Sequence, residues 1–293
     1  MRTQAPEDLR GLMFSIAYRM TGSVTDAEDI TQEAFVRLER ARGEGVEVES
    51  PRAWLSAVTT RIAIDYLRSA RRARERYVGP WLPEPLVEDA APGPAEQAEA
   101  SDSLSQAFLV VLETLSPVER AVFLLHDVFG YEYPDVADAV GKGEGNCRQI
   151  ASRARRRVES RRPRFAPDPA RREELLERFL AASQTGDVDG LRDMLAADAV
   201  LYSDGGGKAV AARRPIYGAD RVARCMVGVT RKRFSRPRPV KQRRIRVNGQ
   251  PGNVLIEPDG SIFSLLTVDV TDDHIQTVRI IRNPDKLAHV HLD

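Results

Sequence analysis

Seven polar residues crowded between positions 144 and 156 form the densest group able to do recognition chemistry: Glu144, Asn146, Arg148, Gln149, Ser152, Arg153 and Arg156. Asn, Gln and Arg side chains hydrogen-bond base edges bidentately, and trailing arginines suit phosphate oxygens. On a helix these positions share the surface that Cys147 and Ile150 do not occupy. What precedes them would aim such a helix. Pro134 opens one helix, Ala137 is followed four residues later by Gly141, and Cys147 and Ile150 come next. That is helix-turn-helix spacing: a small residue where two helices cross, glycine in the tight turn, two apolar anchors beneath the second helix. Cys147 then reads as a small buried residue, not a nucleophile. Gly145 runs against the pattern, costing about 1 kcal/mol of helix propensity relative to alanine. The bland alternative is an amphipathic hairpin with a basic surface.

Other candidates for chemistry are weaker. Asp204-Gly-Gly-Gly-Lys208 has a phosphate-loop flavour, but the earlier glycine is missing at the required spacing and Ala209 stands where Ser or Thr is needed. A glycine turn is the plain reading. The histidines are His126, His274, His289 and His291. His289-Val-His291 is a pair without a third metal ligand. No catalytic or metal-binding residue is assigned, and no cofactor is expected. Cys147 and Cys225 lie far apart inside apparent helices and suit a reducing cytoplasm better than a disulfide framework.

The elements that must position these residues fall into three segments. Residues 7–40 read as helical, with Leu9, Leu12, Met13, Ile16, Ala17 and Met20 in one apolar stripe. Gly22 breaks that helix, and Thr25 with Glu28 reads as a capping box that restarts it. Ala27, Ile30, Ala34 and Leu38 then face a core and leave Asp29, Gln32, Glu33 and Val36 outside. A loop over 43–49 leads to Ser50-Pro51, an N-cap followed by a first-turn proline. The helix it opens carries Trp54, Leu55, Val58, Ile62 and Leu67 into an arginine-rich run. Residues 104–158 are helical again, with Ser116-Pro-Val-Glu119 as a capping box.

The stretch 79–102 is rich in Pro, Ala, Gly and acid, which is linker composition; 163–170 is a second, short linker. From 171 the pattern changes to two short helices around Gly186 and then strands at 200–203, 209–217, 240–247, 253–257, 262–270 and 275–282. A helix from Ala219 to about residue 230 interrupts them, and Asn248-Gly249 and Asp259-Gly260 supply turns. The expected fold is two all-α helical domains, 1–78 and 103–162, the second with the helix-turn-helix, followed by an α+β domain over 171–293.

Composition bounds the function. The chain of 293 residues carries 44 basic and 43 acidic side chains, so bulk charge announces no polyanion partner. Distribution is more telling: 61–76 and 142–172 are arginine-rich, 77–119 has no Lys or Arg, and 231–246 has no acid. No apolar run is long enough to span a membrane, and no signal peptide is visible, so a cytoplasmic location without a membrane partner is expected.

Several words of this sequence resemble a known family. Asp26-Ala-Glu-Asp-Ile-Thr-Gln-Glu-Ala-Phe-Val-Arg-Leu38 is similar to region two of extracytoplasmic-function sigma factors. Arg52-Ala-Trp-Leu55 and Ile62-Ala-Ile-Asp-Tyr-Leu-Arg68 resemble the promoter-melting helix that follows, and the stretch from Leu115-Ser-Pro-Val-Glu-Arg120 to Arg157 resembles region four. The resemblance implies two partners, core RNA polymerase and promoter DNA. It places polymerase contacts on Asp29, Gln32 and Glu33, −10 contacts on Arg61, Asp65, Arg68, Arg71 and Arg72, and −35 contacts on the 144–156 residues. The family commonly has asparagine where this chain has Arg61, which leaves the preferred −10 bases open.

Three further words, Trp81-Leu-Pro-Glu-Pro85, Asp204-Gly-Gly-Gly-Lys208 and Asn283-Pro-Asp-Lys-Leu287, resemble signatures of the subgroup with a SnoaL-like, cone-shaped C-terminal extension. The resemblance implies an extension that modulates the sigma domains in cis, with room for a small-molecule ligand of unknown identity. Trp81, Leu82 and Pro83 are then expected to dock on the loop Asp204, Gly205, Gly206, Gly207 and Lys208 and on the tail Asn283, Pro284, Asp285, Lys286 and Leu287. The arginines of 231–246 would face the linker acids Glu84, Glu88 and Asp89. Two other readings compete: a ligand-responsive helix-turn-helix regulator that works without polymerase, and a SnoaL-like enzyme fused to a DNA-binding domain. The region-two words count against the first, and the lack of an acid or base set counts against the second.

Overall fold

The structure, a computed structural model, describes residues 6–74, 76–88, 104–160, 169–235, 240–271 and 273–292, with the side chains of 6, 7, 71–74 and 88 excepted. The chain divides into two compact units, Met1–Arg76 with Phe108–Arg162, and Tyr77–Ala107 with Pro163–Asp293. The described part of the acidic stretch therefore belongs with the C-terminal domain.

The first unit is helical. α1 (Arg10–Thr21) ends at Gly22, whose left-handed φ of 68° lets its N–H return to Tyr18 O at 2.7 Å. The expected cap at Thr25 is corrected: α2 (Val24–Gly43) starts one residue earlier, and Ser23 Oγ accepts from Asp26 N at 3.1 Å. A serine already in extended backbone can reach that N–H, whereas Thr25 is inside the first turn. α1 and α2 bury Met13, Ile16, Ala17, Ala27, Ala34 and Leu38. α3 (Pro51–Arg74) adds Leu55, Ala63, Ile64 and Leu67 to the same core.

α4 (Gln106–Leu112) and α5 (Pro117–Phe123) follow, the latter opened by the Ser116–Glu119 capping box and extended by a π-helical turn over Leu124–Val128. α6 (Tyr133–Val140) closes at Gly141, which has φ 64°, and α7 (Glu144–Glu159) runs on from it. Cys147 and Ala151 are fully buried beneath α7 and Ile150 nearly so, as the helix-turn-helix spacing requires. The two helical sets pack together. Arg120, 3 % exposed, donates to Met20 O at 2.5 Å and pairs with Glu113 at 2.8 Å, tying α5 to the end of α1.

The second unit is a seven-stranded sheet in the order β1-β4-β5-β6-β7-β2-β3. Its strands are β1 (Val87–Glu88), β2 (Leu195–Asp204), β3 (Ile216–Tyr217), β4 (Lys241–Val247), β5 (Gln250–Ile256), β6 (Ile262–Thr271) and β7 (His274–Ile281). Among the described strands, β2 and β7 pair in parallel and the other neighbours pair antiparallel. Register shifts in β2, β5 and β6 mark bulges, which curve the sheet. α8 (Pro169–Thr185), α9 (Val188–Met194) and α10 (Ala219–Phe234) cover one face of it, and Phe179, Leu191, Val222 and Met226 pack on Leu201, Leu266, Val268 and Val278. This is the cone expected of the third domain. The strand expected over 209–217 is corrected to a loop ending in the two-residue β3. Its residues 213–215 are Arg-Arg-Pro, with no apolar alternation to lay on a core.

Candidate functional site

α7 presents the recognition residues as a surface. Glu144, Asn146, Arg148, Gln149, Arg153 and Arg156 are exposed and Ser152 is half-buried, all opposite Cys147, Ile150, Ala151 and Ala154. Arg148 pairs with Glu144 at 3.0 Å and its guanidinium lies 5.1 Å from the centre of the Tyr133 ring. An exposed pair of this kind contributes only about 0–1 kcal/mol, so Arg148 stays free to exchange it for another acceptor. Arg155 and Arg157 do different work. Arg155 bonds Asp127 and reaches Tyr133 Oη, while Arg157 donates to Thr114 O at 3.2 Å and sits 3.3 Å from Glu119. Both fasten α7 to the helices before it. Burial opposes charge on Glu119, but hydrogen bonds from Ser116 and the nearby Arg157 win and hold its carboxyl below the usual range.

Along α2, Asp29, Gln32 and Glu33 are exposed, and Glu33 pairs with Arg37 at 2.8 Å on the surface. Of the α3 residues, Arg61, Asp65 and Arg68 are exposed, with Arg68 bonded to Asp65 at 3.0 Å. Arg61 is engaged: it donates to Asp138 O at 2.5 Å and Ala139 O at 3.2 Å, the C-terminal carbonyls of α6. A guanidinium is well placed there, because the last carbonyls of a helix lack intrahelical donors. Arg52 and Ser56 of α3 likewise reach Tyr131 Oη, the latter at 2.5 Å. Arg71 and Arg72 lie in α3, but their side chains are outside the described residues.

In the second unit the three short words meet. Asp204 ends β2 and is wholly buried, and its carboxylate accepts four hydrogen bonds. Tyr77 Oη (2.6 Å) and Gly206 N (3.1 Å) reach Oδ1; Leu82 N (2.8 Å) and Lys286 Nζ (2.7 Å) reach Oδ2. Lys286, 5 % exposed, also donates to Leu82 O and lies 4.2 Å from the Trp81 ring centre and 4.9 Å from that of Tyr77. A buried ammonium needs such company: a counter-ion, a carbonyl and aromatic faces. Asn283 caps the short helical turn Pro284–Lys286 and donates to Tyr77 Oη at 2.9 Å. Burial, and then the hydrogen bond to the Asp204 anion, push the Tyr77 phenol above its ordinary range.

The glycines of the loop are explained by this approach. A Cβ on Gly206 would lie 2.3 Å from Asn283 Nδ2 and 3.0 Å from Tyr77 Oη; one on Gly207 would meet Val78 at 3.3 Å; one on Gly205 would meet Ala209 O at 2.3 Å. Gly206 and Gly207 also have positive φ. Leu82 is 2 % exposed, Pro83 is buried and Trp81 half-buried. Lys208 and Asp285, both exposed, pair at 2.5 Å, and Leu287 is buried.

Residues outside the three words complete the grip. Asn248 Oδ1 accepts from Leu86 N at 3.2 Å while its own N–H returns to Leu86 O at 2.7 Å, and β1 then extends the sheet edge by pairing Val87 with Val247. His289 donates from Nε2 to Pro85 O at 2.8 Å. Two of the 231–246 arginines have partners within the second unit. Arg233 turns inward to Glu257 at 2.5 Å, and Arg246 bonds Gly249 O. Strand pairing of β1 with β4 brings the sheet edge to the linker. The Glu88 side chain and Asp89 lie outside the described residues.

Comparison with known proteins agrees with this anatomy. Residues 7–73 match the family model of sigma-70 region 2, and residues 105–158 that of sigma-70 region 4. The chain is 41 % identical over 229 residues to the ECF RNA polymerase sigma factor SigJ of Mycobacterium tuberculosis, spanning 77 % of this chain and 72 % of that protein. It is 32 % identical over 282 residues to the probable ECF RNA polymerase sigma factor SigI of the same species, spanning 95 % and 92 %. The crystal structure of the M. tuberculosis extracytoplasmic function sigma factor SigJ matches with a TM-score of 0.76 at 33 % identity, covering 98 % of each chain. With its polymerase-region helices, its helix-turn-helix and its C-terminal cone, the chain belongs to the extracytoplasmic-function sigma factors, which direct promoter-specific transcription initiation through RNA polymerase.

Proposed function

We propose that this sigma factor is modulated in cis by its C-terminal cone, which acts by holding residues 77–88. One observation carries the reading: the buried Asp204–Lys286 pair spends its hydrogen-bonding capacity on Tyr77 and Leu82, residues of the stretch that joins the two helical sets. A stretch held at one end restricts where its continuation can go, so the grip limits how far α1–α3 and α4–α7 can separate. The Arg61 bonds to Asp138 and Ala139 support a resting form in which α3 and α6 are together. For Arg61 to reach a promoter strand, those bonds must be given up.

In this reading Asp29, Gln32 and Glu33 contact core polymerase. Arg61, Asp65, Arg68, Arg71 and Arg72 serve the −10 element, and the exposed face of α7 reads the −35 element. The protein works in the cytoplasm and its third domain is a regulatory module rather than an enzyme. Among the described residues, the wall of the cone cavity carries no carboxylate, imidazole, thiol or phenol, so proton transfer has no agent there.

The test is co-purification with core RNA polymerase. Reversing Asp29 and Glu33 to lysine removes binding while circular dichroism is unchanged, since the Glu33–Arg37 pair is exposed and contributes only about 0–1 kcal/mol. Retained binding by a folded double variant would refute the polymerase assignment.

A further inference from the structure

The cone leaves a cavity of ≈ 60 Å³ between its sheet and helices α8 and α10. On the same measure one water needs only about 10–15 Å³. Its walls are mainly apolar, from Leu180, Met226, Leu255, Phe263, Leu266 and Ile280. Its rim includes the exposed Gln184 and Gln242, whose side chains bond each other at 2.5 Å, and Phe234, 40 % exposed.

Among the polar groups that interrupt the apolar wall, two are buried with an atom left unmatched. Asn253 of β5 is 3 % exposed, and its Oδ1 has no hydrogen-bond partner. Arg233 of α10 is 5 % exposed; it binds Glu257 and lies 4.3 Å from the Phe263 ring centre, yet its Nε has no partner. A buried acceptor and a buried donor left unmatched both cost stability, and a cavity roomy enough for an occupant is where such a cost finds a use. Glu257 neutralises Arg233, and the Arg282 guanidinium on the same wall donates to Val210 O. Each guanidinium thus has an acceptor, whereas Asn253 Oδ1 has no donor.

We propose that this cavity binds a small amphiphile, a compact apolar or aromatic body bearing one hydroxyl or amide that donates to Asn253 Oδ1. The inference deepens the reading of the cone as a regulatory module, since an occupant would be the signal that module receives. Among the described residues no carboxylate, imidazole, thiol or phenol lines the wall, which suits a sensor's pocket that releases its occupant unchanged.

The experiment uses the full chain and two probes that differ only by a hydroxyl, p-cresol and toluene, with affinities from ligand-observed NMR. The wild-type chain binds p-cresol roughly tenfold more tightly than toluene, about 1.4 kcal/mol. Asn253→Leu abolishes that ratio and raises the unliganded melting midpoint, because it removes an unmatched polar group. Met226→Trp, which fills the cavity, loses both probes. Equal affinity for the two probes in the wild-type chain, no binding of either, or a ratio that survives Asn253→Leu overturns the proposal. No polymerase enters these measurements. Their failure leaves regulation through the linker standing, and failure of the transcription test leaves the cavity standing.

Discussion

Lys286 Nζ lies 2.7 Å from Asp204 Oδ2 in a site where neither side chain is more than 7 % exposed. Taking two charges out of water is repaid only when every remaining proton and lone pair finds a partner. Here the partners come from residues 77–82, so the pair is complete only while the linker is in place. Lys286→Met, which leaves Asp204 uncompensated, is expected to cost about 3–5 kcal/mol. Urea unfolding followed by tryptophan fluorescence reads the loss, and the Trp81 contribution changes as its cation leaves. A variant as stable as the parent would mean that the pair is not what holds the linker.

Gly206→Ala is expected to destabilise the second unit and release Tyr77, because the new methyl would occupy the space of Asn283 Nδ2 at a φ of +57°. Gly228 in α10 is the control: nothing lies within 4 Å of its added Cβ, and alanine there should stabilise by about 0.4–1 kcal/mol. Thermal melts of both variants give the comparison. Equal midpoints would contradict the close approach at Gly206.

On α7 the arginines should separate into two classes. Arg148→Ala and Gln149→Ala are expected to leave the melting midpoint within error while relaxing −35 sequence preference by about 1–3 kcal/mol per lost base contact. Arg155→Ala is expected to lower the midpoint, by about 1 kcal/mol for a partly exposed pair, since its partners are Asp127 and Tyr133. Binding to matched and scrambled sites at fixed salt checks the first half. Equal losses on both sites from Arg148→Ala would remove it as a base reader.

Tyr77 should resist ionisation. Its folded value is raised above the ordinary 10.0, so the neutral phenol is favoured in the folded state. Its contribution to stability is full below pH 10 and is lost as pH rises through the raised value. Tyrosinate absorbance, wild type minus Tyr77→Phe, should show that phenol still protonated where ordinary tyrosines have ionised. Ionisation near 10 would place it outside the Asp204 site.

Much of the helical half was legible because its determinants are local. Gly141, Cys147 and Ile150 announce a helix-turn-helix within a dozen residues, and Ser116 with Glu119 announces a helix start within four. The second unit was legible in its strands and turns but not in its pairing. Tyr77 meets Asp204 across 127 positions, Leu86 meets Asn248 across 162, and Pro85 meets His289 across 204. No periodicity in one chain reports such distances, so Tyr77, Asn248 and His289 were not singled out as linker contacts. The short words Trp81–Pro85, Asp204–Lys208 and Asn283–Leu287 drew attention through family resemblance. Physical chemistry alone read the glycines as a turn, which is correct, and missed that they also make room for the linker. Sequence alone does not set Arg155 and Arg157 apart from the other arginines of α7; the fold does, by placing Asp127 and Thr114 beside them. Asn253 stood unremarked at the start of a strand, since its lack of a partner is a property of the cavity.

Regulation through the linker is tested most directly by run-off transcription from a cognate promoter with purified core polymerase, comparing the full-length chain with Trp81→Ala and Lys286→Met. Circular dichroism and polymerase co-purification serve as controls that each variant is folded and bound. If the cone sets the disposition of the helical sets by gripping residues 77–88, both variants will change transcript yield in the same direction. Yields equal to that of the wild-type chain, from variants shown to be folded and polymerase-bound, would contradict it.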